Sequence, residues 1–154
     1  MKAILQNELT RSLVRWGLGL VFVVASIDKI AHPDVFAESI LAYRLAPEAL
    51  VNVFALIVPW LELVCGVFLL GGVYVRPSSV IVSTMLVVFM AAMVLAIVRG
   101  LKIDCGCFGV GRATEVGWTR VGEDLIMLAA GVYLLVVPEA SEESGVSTLP
   151  SEVR

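Results

Sequence analysis

The sequence predicts an all-α integral membrane protein, a four-helix bundle with a short interfacial helix after the first span. Three observations carry that prediction. Of 154 residues, 59% are hydrophobic and only 16% are charged, and the mean hydropathy is +0.95, well above that of an ordinary soluble domain. Residues 77–98 form a run of 22 positions without a charged side chain, and at about 1.5 Å per helical residue such a run crosses the roughly 30 Å hydrocarbon layer. Short polar links rich in glycine, proline and charge separate this run from three other apolar stretches.

In chain order, the first span is expected at about residues 11–30. Its uncharged centre, residues 16–27, has only 12 positions between Arg15 and Asp28, so Arg15 and Lys29 must snorkel toward opposite surfaces. A cleaved leader is the competing reading, but Glu8 and the charged Asp28 and Lys29 just behind Ala25 and Ser26 favour a retained helix. In the following link Pro33 and Asp34 suit a helix start, and Phe36, Ile40 and Tyr43 fall at helical spacing, which predicts the interfacial helix. The second span, 49–71, carries one charge, Glu62, and the third is 77–98. The fourth, 115–137, extends an uncharged core through "TEVGWTRVGED", with Thr114 as cap, Trp118 as interfacial anchor and Arg120 four residues before Asp124. Residues 1–138 thus form a four-span domain, and the acidic, small and polar residues 139–154 form a disordered tail.

Four spans put both termini on one side. Five lysines and arginines fall on the terminal side and six on the other, so charge bias does not set the orientation. The net charge of −3 and the scattered basic residues give no footprint for nucleic acid. No phosphate-binding glycine loop or serine-nucleophile motif is present, which leaves nucleotide and hydrolase chemistry without support.

The chemistry-bearing motif is "LKIDCGCFGVG", where Gly106 separates Cys105 from Cys107 in the link between the last two spans. A disulfide across one residue closes a small, strained ring, and strained disulfides are the labile, regulatory or catalytic ones. Lys102 and Arg99 favour a thiolate there and Asp104 opposes it. Two other readings stand beside the redox pair: a tight loop with idle cysteines, and a two-coordinate soft-metal site for Cu(I) or Hg(II). A zinc site lacks ligands, since one histidine and one more cysteine remain. That cysteine, Cys65, lies about 22 Å along its helix from Leu50 and is expected to be a packing residue out of reach of the pair. An oxidising location suits a redox pair, which puts the Cys-Gly-Cys loop outside and both termini in the cytoplasm.

Glu62, about 18 Å along the same helix from Leu50, is close to mid-bilayer. It must be protonated, paired or turned to a polar cavity, as a proton-handling or quinone-facing group or as the structural partner of a basic residue. Lys29, Arg99 and Arg15 are its candidate partners, and Asp124 with Arg120 adds charge to the upper part of the fourth span. His32 is expected to be solvated.

"PWLELVCGVFLL" in the second span, "RGLKIDCGCFG" after the third and "GLVFVVASIDKIAHPDVFAESILAYRLAP" near the start together resemble the MauE branch of the DoxX-like membrane proteins, over residues 17–133. The resemblance implies a compact four-helix bundle that serves the redox maturation of exported proteins beside a thioredoxin-like periplasmic partner. It implies Cys105 and Cys107 as the redox pair and Lys29, Glu62 and Arg99 as family-like polar positions. DoxX relatives also imply a membrane quinone as electron partner. Such proteins often carry a basic residue shortly after the "GW" of the last span; here Arg120 is followed by the acidic pair Glu123 and Asp124. A non-catalytic assembly factor that docks the soluble partner is the alternative reading, and a soft-metal thiolate carrier is a third.

Overall fold

The computed structural model describes residues 2–45, 47–101 and 117–137, which form five helices: α1 (Lys2–Ala31), α2 (Pro33–Ala42), α3 (Glu48–Gly71), α4 (Val75–Val98) and α5 (Trp118–Val136). No strand occurs among the described residues.

The sequence explains where these helices begin and end. α1 starts at Lys2, about nine residues before the expected first span, because "KAILQNELT" contains good helix formers and no breaker. Hydropathy had registered only the part that fits a bilayer. Pro33 excludes the α conformation from His32, which lies at φ −131° and ψ 67°, and then opens α2 as its first residue. α3 ends on Gly72, whose φ of +71° is left-handed, while the Val73 amide donates to the Phe68 carbonyl in a helix-terminating turn. A Cβ at Gly72 would also collide with the Arg15 guanidinium, which complements the negative end of α3. α5 begins at Trp118 with Gly117 as its N-cap, three residues later than expected. The proposed cap Thr114 lies outside the described residues.

α1 packs along α3, α3 on α4, α4 on α5 and α5 back on α1, with α2 laid against α3 and α1. The α1·α3 and α4·α5 pairs are the most extensive. α1 and α3 run antiparallel, as three contacts along their length show: Arg15 with Gly72, Gly19 with Gly66, and Lys29 with Glu62. At the middle contact the backbones nearly touch, and a Cβ on Gly66 would lie 2.8 Å from Val23 Cγ2 and 3.0 Å from the Gly19 carbonyl oxygen. Glycine is required there for space. Between the helices Leu18, Phe22, Cys65, Leu69, Val82, Leu86 and Leu134 form the main core. A second cluster, Tyr43, Met93 and Ala96 with Leu101 and Val121, ties the ends of α2 and α4 to the start of α5.

The outer surface is as apolar as the core. Leu13, Leu20, Ile57, Trp60, Val88 and Ile126 are all more than half exposed. α3 and α4 are long and apolar enough to cross a membrane, and only 33% and 22% of their most apolar stretches are buried inside the molecule. A core helix of a soluble protein would be covered by protein; these two present much of their hydrophobic surface outward, as membrane-spanning helices do. α1 and α5 do not reach the same composition, because Asp28 and Lys29 crowd the end of one and Arg120, Glu123 and Asp124 the start of the other.

Replacing Gly66 with alanine is expected to destabilise the detergent-solubilised protein by about 1–3 kcal/mol, since two backbones must separate. Gly17→Ala, with nothing within 4 Å of the new methyl, is expected to be neutral or to stabilise by up to about 1 kcal/mol through helix propensity. Thermal unfolding followed by circular dichroism checks both, and equal melting temperatures for Gly66→Ala and the parent would contradict the close contact.

Candidate functional site

Glu62 is on the inner face of α3 and is only 3% exposed. Its partner is Lys29, from the last turn of α1: the Nζ donates to Oε1 at 2.7 Å and to Oε2 at 2.8 Å. Backbone position alone does not bring these groups together. From the Gly19·Gly66 contact, Lys29 is ten residues along α1, about 15 Å, whereas Glu62 is four residues along α3, about 6 Å. Helical side chains lean toward the N-terminus of their own helix. In an antiparallel pair the lysine therefore leans back toward Glu62 and the glutamate leans toward Lys29, which closes the gap.

The rest of the ammonium is covered by aromatic faces. Lys29 Nζ lies 5.1 Å from the Phe36 ring centroid on α2 and 5.5 Å from that of Phe89 on α4, both within range of a cation-π attraction. A third buried ionisable group, Asp124 of α5, is 5% exposed and lines the same cavity as Lys29 and Glu62. That cavity has a volume of about 40 Å³ and is otherwise walled by apolar side chains, including Phe22, Met85, Phe89 and Met127. Such a volume admits a water molecule and little more.

Met85 and Phe89 form a partition. On their other side an apolar groove of about 290 Å³ runs between α2, α3 and α4, lined by Phe36, Ile40, Tyr43, Phe54 and Val88 among others. Tyr43 closes one end. Burial, and to a smaller extent the facing Asp124 carboxyl, push its hydroxyl up to about 12, so it stays neutral throughout the physiological range.

Other polar positions lie elsewhere. Arg99 is exposed at the C-terminal cap of α4 and makes no part of the cavity. Arg15 is at the far end of α3, beside Gly72. Arg120 was expected to reach Asp124 along one face of the last span; it does act on Asp124 electrostatically, while its guanidinium bonds Glu123, three residues on, and Asp124 turns inward. His32 is exposed, with Nδ1 3.4 Å from the Asp28 carbonyl and 3.9 Å from its carboxylate. Cys65 is a free, buried thiol within the main core. Cys105, Cys107 and Asp104 lie outside the described residues, as does the tail, 139–154. The link that carries them is anchored at Leu101 and Gly117, at the end of the molecule held by the Tyr43, Met93 and Val121 cluster.

Sequence reasoning missed the aromatic cover of Lys29 and the position of Tyr43 opposite Asp124. Phe36 and Tyr43 were visible as one face of a short helix, but no local signal in "HPDVFAESILAY" says that this face roofs an ammonium carried by the preceding helix.

Residues 7–137 match the family described as methylamine utilisation protein MauE. The methylamine utilization protein MauE of Methylorubrum extorquens is 34% identical over 143 residues, which cover 90% of this chain and 77% of the relative. The MauE protein of Paracoccus denitrificans is 32% identical over 131 residues, 82% of this chain and 70% of the relative. That of Methylophilus methylotrophus is 34% identical over 134 residues, 84% and 68%. No solved structure matches the chain.

Removing one member of a buried ion pair strands the other, at a cost of about 3 kcal/mol or more, whereas replacing both with apolar groups costs far less. Lys29→Met is accordingly expected to lower the unfolding temperature, and Lys29→Met combined with Glu62→Leu to recover most of the loss. A double variant no more stable than Lys29→Met in the same detergent would contradict the pairing.

Proposed function

The chain belongs to the MauE family, and on that premise we propose that it is a membrane-embedded accessory protein of methylamine utilisation that exchanges thiols and disulfides through Cys105 and Cys107. In this reading α1, α3, α4 and α5 are four spans of a bacterial inner-membrane bundle and α2 lies at its interface. Both termini are cytoplasmic and the Cys-Gly-Cys link is periplasmic. The observation that carries the reading is the paired cysteines of "RGLKIDCGCFG" in a MauE-family chain whose two long apolar helices support a membrane location.

The exchange balances as follows. One thiolate of the pair attacks a disulfide of a thioredoxin-like periplasmic partner, which forms a mixed disulfide and releases one partner thiolate. The second cysteine attacks that mixed disulfide, closes the Cys105–Cys107 bond and leaves the partner as a dithiol. Two electrons pass to the partner, and the reverse sequence returns them. Lys29, Glu62 and Asp124, with Arg99 just before the link and Asp104 in its sequence, are the supporting polar groups in this reading.

A membrane quinone, when bound, would supply a two-electron acceptor for the pair. The residues present fit one: the apolar groove beside Phe36, Tyr43 and Phe89 would hold its hydrocarbon chain.

In cells that express the full chain, one of the two variants Cys105→Ser and Cys107→Ser is expected to accumulate a partner-linked species on non-reducing gels, dissolved by dithiothreitol. Absence of that species from both variants would leave the cysteines as loop-shaping residues of a docking factor. Metal-dependent loss of thiol labelling without any redox change would instead make the pair a soft-metal carrier. An impermeant maleimide is expected to label the reduced pair on intact cells, and labelling only after lysis would overturn the orientation.

A further inference from the structure

Three helices each contribute one buried ionisable group to a single water-sized cavity: Lys29 from α1, Glu62 from α3 and Asp124 from α5. One ammonium faces two carboxyl groups. With all three ionised the cavity would hold an uncompensated negative charge away from water, which a low-dielectric interior strongly disfavours.

Among the described residues, Lys29 is the only cation that lines the cavity. From α4 the cavity receives Met85, Leu86 and Phe89, all uncharged. Beyond the end of α2 stands Tyr43, which is neutral. On α5 Arg120 acts on Asp124 from outside the cavity, and the Glu123 carboxylate bonded to its guanidinium acts on Asp124 in the opposite sense. On α1 the half-buried Asp28, next to Lys29, is another acid and faces His32.

We propose that Lys29, Glu62 and Asp124 form one proton-binding site, in which a single proton resides on whichever carboxyl group the lysine does not engage. Both hydrogen bonds described for Lys29 Nζ go to Glu62, so in this geometry the proton is on Asp124. Moving the ammonium to Asp124 moves the proton to Glu62: Asp124 carboxylic acid and Glu62 carboxylate become Asp124 carboxylate and Glu62 carboxylic acid, with the net charge unchanged. The cavity between them has space for the water that would carry the proton. The proton belongs to the cluster rather than to either acid alone. This site does not depend on the cysteine chemistry proposed above.

Infrared spectroscopy of the full chain in lipid nanodiscs at neutral pH tests it. The wild-type protein is expected to show one protonated-carboxyl C=O band that shifts down in heavy water, and Asp124→Asn is expected to abolish it. Glu62→Gln is expected to abolish it too, because the freed lysine then pairs with Asp124 and ionises it. Lys29→Met is expected roughly to double the band, since both acids then hold protons. A wild-type protein without the band overturns the proposal, whatever the folding of the variants. So does a Glu62→Gln protein, helical by circular dichroism, that keeps the band at full intensity, because Asp124 would then be neutral through burial alone.

Discussion

A carboxylate fourteen residues past the start of an apolar helix has to find a positive charge, and much of the structure follows from how Glu62 finds Lys29. The bond fixes α1 against α3 at one end, as the Gly19·Gly66 contact does at the middle and Arg15 at Gly72 does at the other. Neither charged group could be held so far from water by Coulomb attraction alone. Glu62 uses both oxygens, and the lysine's remaining surface is turned to Phe36 and Phe89. That aromatic cover gives α2 its place: the short helix after Pro33 lies where it does partly because Phe36 roofs the ammonium.

Sequence was informative where a property is local and uninformative where it depends on how helices rotate about one another. The uncharged run at 77–98 and the single charge in 49–71 marked α4 and α3, because a bilayer-length apolar stretch has few other uses. The start of α1 escaped hydropathy because its first residues are helical by propensity and carry charge. The depth of Glu62 could be counted along its helix, but the choice among Lys29, Arg99 and Arg15 could not. It turns on the tilt of Cβ vectors in an antiparallel pair and on the register set by two glycines. On α5 the i to i+4 rule relates Arg120 to Asp124, and the arginine does act on that acid, but its hydrogen bond goes to Glu123, one residue earlier, because Asp124 faces inward.

The two cysteines belong to a link whose anchors, Leu101 and Gly117, are at the end of the bundle closed by Tyr43, Met93 and Val121. In the proposed function that closure matters as much as the thiols, since a partner must meet a surface that does not yield. Membership in the MauE family and the apolar exterior are consistent with one another. A conventional water-soluble oxidoreductase would have no reason to expose Trp60, Val88 and Ile126 at once.

The tight contact of α1 with α3 at Gly19 and Gly66, and the closeness of Gly131 on α5 to the Ser83 side chain on α4, arrange the molecule as two closely packed leaves that meet along a seam filled by the main core. Lys29 and Glu62 belong to one leaf and Asp124 to the other. Shear along the seam would therefore leave the ion pair whole while changing the distance from the ammonium to the third acid. In the proposed site, the charge on that acid would then follow the relative position of the leaves.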